Sequence, residues 1–166
     1  VDSTGKVLPE VVSVMEICRD EDIIFATGHS SPDEAVALVK KAKEVGVRKC
    51  VVTHCTQTYW HITLDQAKVC LENGAYLEHS ILPYYNGVHC LIPAYQKAQQ
   101  TPLEEFVRYI RLDPSHQFIS SDLGMSKMPN PVDGMRDCLH GLRQAGLTDK
   151  DLDLTTRRVP ALLLGI

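Results

Sequence analysis

Three histidines close three successive apolar runs, Ile23-Ile-Phe-Ala-Thr-Gly-His29, Cys50-Val-Val-Thr-His54 and Ala75-Tyr-Leu-Glu-His79, and both intervals between them are 25 residues. A fourth run, Phe118-Ile-Ser-Ser-Asp122, ends in a carboxylate. Imidazole nitrogens and carboxylate oxygens are divalent-metal ligands, and both carry protons near neutral pH when their surroundings allow it. If each run is a buried parallel strand, its last residue lies at the carboxyl edge of the sheet, where α/β proteins assemble their sites. Four metal-competent side chains are then expected on one rim.

The elements that would place them there are readable from periodicity. Leu8, Val11, Val12, Met15 and Ile17 or Cys18 recur at helical spacing over Leu8 to Arg19, with Pro9 suited to a first turn. A strand is expected over Asp22 to Thr27. Ser31-Pro32-Asp33-Glu34 then combines an N-cap, a proline at N1 and a capping box, and Gly46 supplies the stop of the helix it opens. Lys49 to Thr53 reads as a second strand, Thr63-Leu-Asp-Gln66 as a second capping box opening a helix to Glu72, and Ala75 to Glu78 as a third strand. Pro83, Asn86-Gly87 and Pro93 break up Leu82 to Gln100, which reads as a long rim loop with a short helix from Ala94 to Gln99. A helix from Thr101 to Leu112, a strand from Gln117 to Ser121 and a helix from Val132 to Gln144 follow. In the tail, Thr148 to Asp151 starts a short helix and Pro160 suits N1 of a final apolar turn. Strands separated by helices at this rhythm require parallel pairing through right-handed crossovers. The expected fold class is α/β, built of parallel βα repeats in a single domain over 1–166.

Composition narrows the function classes. With 17 Lys and Arg against 21 Asp and Glu, the formal charge is −4 and the pI about 6.0, so no basic footprint for nucleic acid is expected. No apolar span of membrane length and no basic-then-apolar leader occurs, so membrane insertion is not expected and cytoplasm is the default compartment. The cysteines Cys18, Cys50, Cys55, Cys70, Cys90 and Cys138 form no C-x-x-C pair and read as buried thiols. Neither G-x-G-x-x-G nor G-x-x-x-x-G-K-[ST] is present, which argues against a nucleotide.

The constellation resembles the metal-dependent hydrolases of the amidohydrolase superfamily, in particular the second half of their (β/α)8 TIM barrel. Counted back from the carboxyl end, Phe118 to Asp122 resembles strand eight, Ala75 to His79 strand seven, Cys50 to His54 strand six and Ile23 to His29 strand five. The closing Val159-Pro-Ala-Leu-Leu-Leu-Gly-Ile166 is similar to the Asn-Pro-Ala-x-Leu-Leu-Gly-Leu segment of such enzymes, with Val159 where Asn is usual. No H-x-H pair, the strand-one signature of that family, occurs. The resemblance implies a carboxyl-terminal fragment of an enzyme near twice this length.

It further implies His29, His54 and Asp122 as metal ligands, Asp122 also as the catalytic proton carrier, and His79 and Glu78 as substrate contacts. The cofactor expected is a divalent metal, zinc first, with manganese or iron also suited to the ligands. The partner expected is a small-molecule substrate carrying an amide, ester or lactone-like bond. A decarboxylase or lyase of the same superfamily, and a non-catalytic half-barrel that pairs as a homo-oligomer, are the alternatives. Asp122 before Leu123-Gly124 also suits a simple turn cap, and Ser120 and Ser121 suit packing and hydrogen bonding. His61, His89, His116 and His140 lack the strand-end position, although His89 lies in the long loop that could cover the mouth. Tyr84, Tyr85, Asn86 and Lys127, in the two rim loops, suit either a polar substrate or plain solvation.

Overall fold

The computed structural model describes residues 1–57, 60–88 and 90–166. Helix α1 (Pro9–Asp20), strand β1 (Phe25–Ala26), helix α2 (Pro32–Val45), strand β2 (Cys50–Val52), helix α3 (Leu64–Glu72) and strand β3 (Tyr76–Ser80) alternate in chain order. Both capping boxes form: Ser31 accepts from the Glu34 amide, Thr63 from the Gln66 amide, and each partner side chain reaches back to the cap. Helix α2 ends on Gly46 at φ 91°, a left-handed stop that a Cβ would strain. A 3-10 turn (Leu82–Tyr85), helix α4 (Pro93–Gln96), helix α5 (Leu103–Ile110), strand β4 (Gln117–Ser120) and helix α6 (Pro131–Gln144) follow.

The four strands form one parallel sheet in the order β1-β2-β3-β4. Each strand's neighbour is the next one in sequence, so every crossover advances in the same direction. Right-handed connections then stack the intervening helices on one face. Side chains confirm this: Phe25, Cys50, Val52 and Leu77 are buried with Leu38, Val39 and Ala42 of α2 and Cys70 of α3. Ile119 is buried with Phe106 and Ile110 of α5 and Leu142 of α6. The opposite face carries Ile24, Val51, Tyr76 and Phe118, and it is covered by Val159 and Leu163 from the tail. Burying an aliphatic side chain contributes about 1.5–3 kcal/mol, so these two contacts hold the tail across the sheet.

The tail starts a short helix on the expected Thr148 cap and has Pro160 in the first turn of its final helix, but the two are not separate. It is one helical run of α7 (Asp149–Asp153), a π-helical turn (Leu154–Arg158) and α8 (Val159–Leu164). Pro160 has no N–H to return to the preceding turn, and the wider π register, in which the Val159 amide donates to Leu154 O, takes up the mismatch. Strand β1 is shorter than the expected Asp22 to Thr27. Ile23 there is half exposed and has no sheet partner to extend the pairing. All six cysteines are buried free thiols. No helix among the described residues is long and apolar enough to cross a membrane.

Candidate functional site

The carboxyl ends of the strands break away from sheet geometry at corresponding places. Gly28, His54 and Asp122 take left-handed backbone at φ 63°, 55° and 50°. For His54 and Asp122 this is a conformation that few non-glycine residues adopt, and it cuts each strand short. The ends of β1 and β2 are tied by a reciprocal pair: Thr53 N–H donates to Thr27 Oγ1 at 3.1 Å, and Gly28 N–H donates to Thr53 Oγ1 at 3.2 Å.

Above this tie the rings of His29 and His54 stack with centroids 5.1 Å apart, and His29 stacks on Trp60 at 4.3 Å. From β3, the Glu78 carboxylate reaches the same place. Its Oε2 accepts the His54 backbone N–H at 3.2 Å and lies 3.4 Å from His54 Nδ1. Its Oε1 accepts the Ser120 hydroxyl of β4 at 2.8 Å. His54 Nδ1 is buried and has no well-aligned hydrogen bond, and neither has Ser80 Oγ, next along the same face of β3. Ser120, Glu78, His54, His29 and Trp60 thus make a chain of contacts running across all four strand ends.

Two expectations change here. Asp122 is not gathered with the histidines: it follows β4 on a left-handed residue and its carboxylate is exposed. Among the described residues no three His, Cys, Asp or Glu side chains are close enough together to hold an ion. His79 is not a rim residue either. Successive strand residues face opposite sides, so where Glu78 faces the site, His79 faces the helices and is 0% exposed.

His79 sits instead in a closed polar network. The Gln117 amide nitrogen donates to the carbonyls of Tyr109 at 2.8 Å, Ile110 at 3.2 Å and Asp113 at 3.0 Å, which fixes the orientation of the amide. Its Oε1 must therefore accept, and it takes the His79 Nε2 proton at 2.7 Å. Nδ1 is left as an acceptor, 3.3 Å from Cys55 Sγ and 3.4 Å from Thr56 Oγ1. Burial holds the His79 pKa down to about 4, against the smaller opposing effect of the Gln117 bond. Burial likewise pushes the Cys55 thiol well above its ordinary range, so it is no nucleophile at neutral pH.

The rim loops fold onto each other and onto α6. Tyr85 donates to Gly134 O at 2.9 Å and Asp137 Oδ2 at 3.1 Å, Asn86 is buried, and Lys127 is exposed at φ 72°. Tyr85 and Lys127 line a cavity of about 360 Å³ with Cys90, Leu91, Met128 and Pro129. His61 bonds Tyr109 Oη at 2.9 Å, His116 bonds Asp113 at 2.8 Å, and His140 bonds Gln144 at 2.9 Å, all away from the strand-end cluster. His89 lies outside the described residues. Among the sequence expectations Trp60 has no place, and Ser120 is only a packing and hydrogen-bonding residue. Ser120 was accessible through the two-residue alternation that puts it on the Phe118 face, and Trp60 as the single tryptophan six residues past a strand end.

Residues 1–78 match the model of a family of unknown function, DUF6282. The match ends within β3, so it takes in His29, His54, Trp60 and Glu78 and stops short of His79 and Asp122. No curated protein and no solved structure matches the chain.

Proposed function

We propose that this chain is the second half of an amidohydrolase-type (β/α)8 barrel and that its strand-end cluster serves a metal-dependent hydrolase. The observation that carries the reading is the His29–His54 pair at the carboxyl ends of adjacent parallel strands. The sequential strand order, with the crossover helices on one face, is the winding a barrel uses.

The donors suit a divalent ion in kind. Among the described residues the His29 ring makes only stacking contacts, and His54 presents its Nε2 while its Nδ1 faces Glu78. The Asp122 carboxylate has no hydrogen bond or ion pair with a described residue. His29 and His54 would hold the metal; Asp122, exposed after β4, is not grouped with them in this structure and would be the ligand the site still needs. A divalent metal, zinc first and manganese or iron next, would supply a water activated at neutral pH. In this reading Asp122 would be the carboxylate that takes a proton from the attacking water and gives it to the leaving group of a small substrate with an amide, ester or lactone-like bond.

Trp60 reports on this site directly, because it is the only tryptophan and its ring lies on His29. Adding zinc is expected to change Trp60 emission saturably in the native protein and to leave the His29→Ala variant unchanged. Unchanged emission in both would remove the support for His29 as a ligand.

The non-catalytic half-barrel has one observation in its favour. Ile23 beside the β1 edge and Leu162, Leu164 and Ile166 in the tail are exposed apolar side chains, which suits a homo-oligomer. Sedimentation that depends on protein concentration but not on metal would favour that second reading.

A further inference from the structure

We infer that Glu78 is a positioning residue for His54, holding its Nδ1 as the protonated nitrogen so that Nε2 is the one presented to the site. The assignment differs from a substrate contact because both carboxylate oxygens are already engaged within the protein. Oε1 accepts the Ser120 hydroxyl at 2.8 Å, and Oε2 faces both the backbone N–H and Nδ1 of His54, at 3.2 and 3.4 Å. The backbone contact matters as much as the ring contact. His54 stands at φ 55°, where the strand would not otherwise hold it, and one oxygen ties its main chain and its ring together.

The side chains of His54 and Glu78 are 13% and 17% exposed. At that burial a lone imidazole nitrogen costs stability unless it is paired; Nδ1 has no aligned hydrogen bond, and among the described residues the Glu78 carboxylate is the acceptor beside it, which when ionised accepts a proton and never donates one. The Nδ1–H tautomer is therefore the one this geometry favours. Carboxylates that accept the second ring N–H of a metal-binding histidine orient the ring and raise its basicity, and losing them weakens metal binding about 10- to 100-fold. Ser120 extends the arrangement to β4 by fixing the carboxylate, so three strand ends define one ring orientation. The chemical purpose of this arrangement rests on the metal-site reading; the tautomer does not.

Two measurements separate those parts. In long-range proton–nitrogen spectra of the metal-free protein under alkaline conditions, His54 is expected to carry its proton on Nδ1. The Glu78→Ala variant is expected to lose that preference and Glu78→Gln, which keeps an acceptor oxygen, to retain it in part. The unchanged ring signals of buried His79 show that each variant is folded. A proton on Nε2 in the native protein, or the same tautomer in Glu78→Ala, overturns the assignment. Zinc titration is then expected to show affinity about 10- to 100-fold weaker in Glu78→Ala than in the native chain. Equal affinity would overturn the positioning role, whereas a native chain that binds no zinc while keeping the Nδ1 tautomer overturns the metal-site reading and supports the Glu78–His54 pairing.

Discussion

Acidification from pH 6.5 to 4 is expected to remove about 3 kcal/mol of folding stability through His79 alone. The ring is fully buried and its pKa is held down from 6.5 to about 4. Above pH 6.5 the ring is neutral in both folded and unfolded chains, and its network contributes fully. Between 6.5 and 4 the unfolded chain takes up a proton that the folded chain refuses, so stability falls by about 1.4 kcal/mol for each pH unit. Below 4 both states are protonated and the loss is complete. The proton has no favourable place in the fold: Nε2 already donates to Gln117, and a second N–H on Nδ1 would face a thiol and a hydroxyl among buried rings. Urea unfolding measured across this interval tests the claim. The His79→Gln variant, whatever its stability at pH 7, is expected to show a flatter dependence, and an equally steep one would assign the acid sensitivity to other groups.

Replacing Gln117 by Ala is expected to cost about 3 kcal/mol at neutral pH. This one amide, 0% exposed, serves the carbonyls of Tyr109, Ile110 and Asp113, where the chain leaves α5 and turns into β4, and accepts from His79 on β3. Its removal leaves the His79 N–H without a partner and the Ile110 carbonyl without its donor, while the Tyr109 and Asp113 carbonyls keep backbone donors from Leu112 and His116. Each buried orphan costs about 1–3 kcal/mol. Room for a water in the vacated volume would offset part of this. Chemical denaturation of the variant checks the figure; a loss below about 1 kcal/mol would mean that the network relaxes around the gap.

These two residues also show where sequence reading reaches its limit. The capping boxes at Ser31 and Thr63 were legible because the cap and its partner lie three residues apart and the interaction is local. The parallel strands were legible because apolar runs and helices alternate at an even rhythm. Glu78 and His79, by contrast, were read together as rim residues, although neighbours on a strand must face opposite sides. Which of the two faces the helices depends on the register with β4, where Glu78 lies opposite Phe118 and His79 opposite Ile119. That register is a long-range fact. The meeting of His29 with His54 follows from their places just past the ends of adjacent strands, whereas the position of Asp122 depends on one backbone angle after β4 that residue type does not dictate. The π-helical turn before Pro160 is of the same sort: proline announces a disruption but not how the helix absorbs it.

The most direct test of the strand-end site is elemental analysis of the purified chain beside a His29→Ala, His54→Ala double variant of matched fold. The account predicts a divalent metal bound in stoichiometric amount to the native chain after incubation with zinc and desalting, and its loss in the double variant. Equal metal content in the two proteins, or none in the native chain, would contradict it.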